Sequence, residues 1–171
     1  MPHLNIEIKA SCKDQDKIRD ILKERNADFK GLDRQIDTYF KVNSGRLKLR
    51  EGNIENFLVF YNREDKSGPK ESNVTLFKYD PKSNLKEILL SSLGVLVVVD
   101  KQREIYFIDN VKFHLDKVKD LGNFVEIEAI DKEGNIGREK LLKQCQEYMK
   151  IFDIKESDLI SKSYSDLLIK L

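Results

Sequence analysis

Much that could staple, anchor or steer this chain is scarce or absent. It has two cysteines, three prolines and no tryptophan in 171 residues. Cys12 and Cys145 show no metal-ligand spacing, which argues against a disulfide framework or a zinc site, and each falls in a stretch that reads as helical. The longest apolar run, Val95 to Val99, falls far short of the roughly 20 residues that span a bilayer. The first ten residues lack the apolar core of a signal peptide, so a cytoplasmic protein with no membrane partner is expected. Lys and Arg number 31 against 30 Asp and Glu, so no overall field draws the chain onto nucleic acid, and any anion site must be local. Without repeats, low-complexity tracts or a Pro-rich linker, residues 1–171 read as one domain.

What is present is alternation. In Asn5-Ile6-Glu7-Ile8-Lys9-Ala10, the apolar residues share one face and Asn5, Glu7 and Lys9 the other, which predicts a strand with a charged side. Ser11 and Asp14 mark a helix start, and Ile18, Ile21 and Leu22 recur at helical spacing to about Asn26. From Arg34 to Asp131 the period is mostly two, predicting seven further strands near 35–42, 46–51, 57–63, 74–79, 95–108, 111–118 and 124–130. Short links such as Asn43-Ser44-Gly45 and Asp109-Asn110 join antiparallel neighbours. Ser83 or Asn84 caps a helix that carries Leu85, Ile88, Leu89 and Leu93 and stops at Gly94. Beyond Asp131, Leu141, Leu142, Cys145, Tyr148, Met149 and Phe152 form a helical stripe, and shorter helical pieces run to Leu171. The expected class is α+β, with a mainly antiparallel sheet covered by helices.

Charges cluster by strand face. Arg46, Lys48 and Arg50 alternate with leucines; Lys101 aligns with Arg103; Lys112, His114 and Asp116 alternate with Phe113 and Leu115; Glu126 and Glu128 alternate with Val125 and Ile127. On one strand this means only a solvated face. Eight strands that curl or close would instead bring those faces into one concave, wet space, since unpaired charges are too costly for a dry core. The cations there are Lys9, Arg46, Lys48, Arg50, Arg63, Lys101 and Arg103, and the carboxylates are Glu7, Asp116, Glu126 and Glu128. Arg and Lys suit phosphate oxygens, and clustered carboxylates suit Mg²⁺ or Mn²⁺. A metal-bound polyphosphate fits both sets.

The series Asn5-Ile6-Glu7-Ile8-Lys9, Asp37-Thr38-Tyr39-Phe40, Gly45-Arg46-Leu47-Lys48-Leu49-Arg50-Glu51, Lys101-Gln102-Arg103 with Tyr106, Leu115-Asp116 and Leu121-Gly122-Asn123-Phe124-Val125-Glu126-Ile127-Glu128 resembles the CYTH superfamily of triphosphate tunnel metalloenzymes across nearly the whole chain. The Asp-Thr-Tyr-Phe element and the ending Ser163-Tyr164-Ser165-Asp166-Leu167-Leu168 are most similar to CyaB-like class IV adenylyl cyclases. The resemblance implies a closed or nearly closed eight-stranded tunnel in which Lys9, Arg50, Lys101 and Arg103 are catalytic. It further implies that Arg46, Lys48 and Arg63, with Lys78 a weaker candidate, bind substrate and that Glu7, Asp116, Glu126 and Glu128 hold Mg²⁺ or Mn²⁺. The implied partner is a triphosphate-containing small molecule, and the implied reaction is conversion of ATP to cyclic AMP and pyrophosphate. The alternative reaction is hydrolysis of tripolyphosphate, thiamine triphosphate or a nucleoside triphosphate.

The family signature Glu-x-Glu-x-Lys here has Asn5 at its first position, which removes one anionic ligand and leaves a noncatalytic polyphosphate-binding or nucleotide-binding module as a further alternative. Asp37, Tyr39 and Phe40 read first as fold-determining, and His114 as a packing or hydrogen-bonding residue. The segment 66–71 reads as an exposed hairpin loop or a lid. Tyr164 and Lys162 anchor a terminal helix or close one tunnel mouth. A homodimer is the commonest oligomer for such a chain.

Overall fold

Alternating side chains are realised as eight strands that close on themselves. The computed structural model describes residues 2–171. Its elements run β1 (His3–Ser11), α1 (Gln15–Glu24), β2 (Asp28–Phe40), β3 (Arg46–Glu51), β4 (Phe57–Arg63), β5 (Lys70–Lys78), α2 (Leu85–Leu93), β6 (Val95–Ile108), β7 (Val111–Val118), β8 (Gly122–Asp131), α3 (Arg138–Ile151) and α4 (Tyr164–Ile169). The barrel order is β1-β5-β4-β3-β2-β6-β7-β8, with every neighbouring pair antiparallel. Among the described residues no helix is long and apolar enough to cross a membrane.

The main hydrophobic core lies on the outside of the barrel wall. Ile6, Ile8 and Ala10 of β1, Phe113 and Leu115 of β7, and Val125 and Ile127 of β8 pack with Ile18 and Leu22 of α1 and Leu141 and Cys145 of α3. A second cluster puts Leu89 of α2 over Phe40 and Leu49. Inside the barrel, Tyr39, Val99, Val118 and Phe124 pack with Tyr164 of α4. Local chemistry sets the helix starts: Asp14 accepts from the Lys17 N–H at 3.1 Å, and Ser163 and Asp166 cap α4 reciprocally.

Several boundaries differ from the sequence expectation. β2 begins at Asp28 rather than near Gln35, because the long β6 continues to pair with it as far as Asp28 opposite Phe107; a bulge at Gly31, whose φ is 124°, breaks the alternation. β5 begins at Lys70, so part of the supposed 66–71 loop is strand, held by Glu7 opposite Lys70. Cys12 is not helical: it lies between β1 and α1, its N–H donating to the Asn123 carbonyl at 3.0 Å.

Phe113 is fully buried and meets the rings of Tyr148 and Phe152 with centroids at 4.7 and 5.5 Å. Phe113→Ala removes the ring that joins barrel to α3, and a urea titration should show a loss of about 3–5 kcal/mol.

Candidate active site

Because side chains alternate, the opposite faces of the same strands point into a tunnel that encloses a cavity of about 210 Å³. The register sets charges beside one another: Lys9 is opposite Glu126, which is opposite His114, and Glu7 is opposite Glu128, which is opposite Lys112. Asp37 is opposite Arg50, and Arg103 is opposite Asp116.

Two buried carboxylates organise the cations. Asp37 receives Arg50 Nε and Nη2 at 2.9 and 2.8 Å and Lys101 Nζ at 2.6 Å, with Lys48 Nζ at 3.4 Å. Burial works against its charge, yet Arg50, Lys101 and Lys48 hold its carboxyl well below the usual range. Asp116 receives Arg103 bidentately at 2.7 and 2.6 Å and the Tyr164 hydroxyl at 2.7 Å. Burial lowers Lys101 to about 7 against the pull of Asp37, and lowers Lys9 to about 8 against the pull of Glu126. The Lys9 ammonium also sits 3.8 Å from the centre of the Tyr164 ring.

The acidic corner is less settled. Asn5 Nδ2 donates to Glu128, whose carboxyl is pushed up to about 7 by burial, against Lys112, with Glu7 and Glu126 adding repulsion. Glu7 accepts from Arg63 Nη1 at 2.5 Å, while Arg63 Nε and Nη2 are buried with no partner. Asn5 Oδ1 and His114 Nε2 are also buried and unpartnered. Unpaired buried donors and acceptors are rare in folded proteins, and those of Asn5, Arg63 and His114 belong to side chains that line one cavity.

The tunnel lining thus brings together Glu7, Lys9, Lys48, Arg50, Arg63, Lys101, Arg103, Glu126 and Glu128. Arg46 lies towards the α4 side, where it donates to Asp166 at 2.6 Å. Lys78 does not join them: it is exposed at the end of β5, beyond the last inward residue, Leu76. Asp116, expected as a metal ligand, is buried and accepts both Arg103 contacts and the Tyr164 hydroxyl.

Other groups at the site carry a weaker signal in the sequence. Asp37 read as a fold residue but is the hub of the cations. Lys70, hidden in the supposed loop, is buried and donates to the Ser161 carbonyl at 3.1 Å. Glu55 comes from the β3–β4 connection, which has no periodicity to reveal it. It receives Lys112 Nζ at 2.5 Å and Arg50 Nη1 at 3.4 Å. Buried Asp33 fixes this loop by accepting the Ile54 and Glu55 N–H groups, both at 2.9 Å.

A cation-lined antiparallel tunnel with an acidic corner has counterparts among known proteins. The model of the CYTH domain family matches residues 3–164. The chain belongs to the CYTH family. Members of this family are adenylyl cyclases or triphosphatases, the family binds triphosphate substrates, and its tunnel enzymes are generally dependent on divalent metals. A Methanocaldococcus jannaschii protein named "Putative adenylate cyclase" is 28% identical, over 96% of this chain and 98% of its own. A solved Pyrococcus horikoshii structure is 27% identical with a TM-score of 0.80, covering 95% of this chain and 98% of that one. A Hippeastrum protein, described as a "putative adenylyl cyclase" that reveals a dominant triphosphatase activity, shares the fold at 14% identity and a TM-score of 0.63, with 98% and 94% covered.

The CYTH metal can be tested against the residues present. Among the described residues no three His, Cys, Asp or Glu side chains are gathered into a ready-made cage. The donors nevertheless suit a hard dication. Glu7 and Glu128 are cross-strand neighbours, and Glu126 follows on the same face. The orphaned Asn5 Oδ1 and the raised Glu128 carboxyl are both groups that a dication would satisfy.

Removing the hub tests the ion arrangement. Asp37→Asn leaves Lys101, Arg50 and Lys48 facing one another, and should cost about 3–5 kcal/mol in denaturant unfolding. Added tripolyphosphate should restore part of that loss, because it returns negative charge to the same cations.

Proposed function

We propose that this chain is a divalent-metal-dependent enzyme that cyclises ATP to cyclic AMP and pyrophosphate in a cytoplasmic setting. The observation that carries the reading is the tunnel's polarity. Buried cations with unspent donors, above all Arg63 Nε and Nη2, occupy its middle. At the end where β1 begins, Phe57, Val59, Leu76, Phe107 and Ile130 add apolar surface beside the charged Glu55, Lys112 and Lys132. The 159–169 segment lies over the other end, where Tyr164 reaches Asp116 and Asp166 reaches Arg46. In this reading a triphosphate enters with its charged chain foremost and leaves an organic group against these apolar side chains. Inorganic tripolyphosphate would leave those apolar side chains unused.

In this reading Lys9, Arg50, Lys101 and Arg103 hold the phosphate oxygens, with Lys48 and Arg63 extending the cradle. These groups offset charge on the departing pyrophosphate as the ribose 3′ oxygen closes on the α-phosphorus. Arg103 is kept in line by Asp116, itself held by Tyr164. Glu7, Glu126 and Glu128 would hold the dication, which supplies Lewis acidity at the phosphates. The opposing carboxylates Asp37 and Glu55 keep the arginines and lysines in place until the ligand arrives.

Triphosphate hydrolysis is the second reading, favoured by His114. Burial, reinforced by Arg103 and opposed by the hydrogen bond to Glu126, lowers its imidazole to about 4, so the ring is neutral near pH 7. Its Nδ1 lies 3.4 Å from Glu126 and its Nε2 is free to orient a water molecule. The deciding experiment incubates the purified protein with ATP, thiamine triphosphate and tripolyphosphate, each with Mg²⁺ or Mn²⁺, and identifies products. Cyclic AMP with pyrophosphate is expected. Orthophosphate release supports hydrolysis, and no turnover with retained binding supports the noncatalytic module.

Binding should depend on pH in a stated direction. Burial leads the lowering of Lys101 to about 7 and of Lys9 and Lys70 to about 8 in the empty tunnel. A bound polyanion favours the charged ammonium and raises these values, so binding takes up protons and weakens as pH rises through that window. Calorimetry with tripolyphosphate should show proton uptake, and at least about tenfold lower affinity at about pH 9 than at about pH 6.

A further inference from the structure

A second cavity, a groove of about 320 Å³, lies on the outer wall of the barrel. Strand register builds its floor. Arg34 of β2 is opposite Gln102 of β6, Gln102 is opposite Lys117 of β7, and Lys117 is opposite Asn123 of β8, so one row crosses four strands. All four side chains are exposed, because Lys101, Arg103, Asp116 and Phe124 beside them take the inward positions. After Val118 the chain leaves β7, and the Lys119 N–H donates to the Asp100 carbonyl at 2.9 Å, which sets both residues in the lining of the groove.

The row is distinguished by what it leaves unpaired. Among the described residues, the side chains of Arg34, Gln102, Lys117, Lys119 and Asn123 make no ion pair and no hydrogen bond, although all five line this groove. Elsewhere on the surface Lys17, Lys30, Lys86 and Lys162 each find a carboxylate. Two residues along β6, on the same outer wall, Glu104 takes Arg19 at 2.9 and 2.7 Å. A glutamate at position 102 would likewise stand opposite both Arg34 and Lys117 and pair with them. The chain has an amide there and another at Asn123, groups that donate to an anion without neutralising the cations beside them. Three outward cations against one carboxylate, Asp100, leave a local positive surplus in a chain whose net charge is only +1.

We propose that this groove binds a diphosphate group, free or carried by a nucleotide, at a site separate from the tunnel. Arg34 and Lys117 stand on either side of Gln102, two strand spacings or roughly 10 Å apart at the backbone. Their long side chains reach one phosphate each, and the Gln102 amide donates to the oxygens between them. A nucleic-acid strand suits the groove less, because the row spans only four strands and the acidic Asp100 and Asp120 flank Lys119.

Nuclear magnetic resonance of the full chain reads this site apart from the tunnel, through the side-chain amides of Gln102 and Asn123. Pyrophosphate added at low salt without divalent metal should shift both amides saturably, with a half-point below about 1 mM. Arg34→Ala and Lys117→Ala should each raise that half-point by at least about tenfold. Gln102→Glu should abolish the Asn123 shift while leaving the urea midpoint unchanged or higher, since the new carboxylate takes both cations. Arg63→Ala, inside the tunnel, should leave the response intact. ADP separates the sources: a half-point lower than that of pyrophosphate supports a nucleotide, and an equal or higher one supports a free diphosphate. Amides that do not respond at about 10 mM pyrophosphate overturn the proposal. So does a response that survives Arg34→Ala and Lys117→Ala together, one that is lost in a folded Arg63→Ala chain, or one given by a single-stranded oligonucleotide alone.

Discussion

Charge compensation inside a closed sheet is the constraint on which the rest depends. Lys101 and Arg103 are almost wholly buried on the inner wall, where a lone charge is untenable, and each is held by a carboxylate that is itself buried, Asp37 and Asp116. These pairs contribute little net stability by themselves, because desolvation offsets attraction. Stability comes from the other side of the wall, where Ile8, Phe113, Leu115 and Ile127 are sealed under α1 and α3. The fold is thus inverted relative to a filled barrel: its main core is outside and its polar ligand space inside.

Strand alternation explains why so much of this was legible. Arg46-Leu47-Lys48-Leu49-Arg50 states both faces at once, and the β1, β7 and β8 segments do the same, so barrel, flanking helices and most of the lining follow from period two. What escaped had no period to carry it. Gly31 interrupts β2 at a bulge, which hid the strand between Asp28 and Arg34. Glu55 reaches the tunnel from a loop whose shape depends on Asp33, a contact across 21 and 22 residues. The placements of Asp116 and Lys78 were hidden for a different reason. Alternation says which face a side chain takes, but not whether it is already paired or stands beyond the rim.

Asp37 shows the limit of reading residues by type. An aspartate before Thr38, Tyr39 and Phe40 in a strand reads as a local structural feature, and Phe40 does pack under α2. Its role becomes visible only when β2 is flanked by β3 and β6, which bring Arg50 and Lys101 from opposite sides. Neither neighbour is fixed by local sequence.

The internal carboxylates also set what the tunnel can exchange. Asp37 and Asp116 are saturated by short contacts and stay with their cations, so they orient rather than compete. Glu55 is held differently: it reaches Arg50 at only 3.4 Å, and its loop lies at the end lined by Phe57 and Phe107. On the proposed reading, an incoming phosphate chain takes over Arg63's idle nitrogens without displacing anything, and draws on Arg50 while Asp37 still grips it. The geometry is then set before the ligand binds, so little binding energy is spent on reorganising buried charge. In the same reading, the apolar side chains at one end and the segment over the other restrict the chain to one direction of entry, which is what an enzyme needs if one phosphorus is to be attacked rather than another.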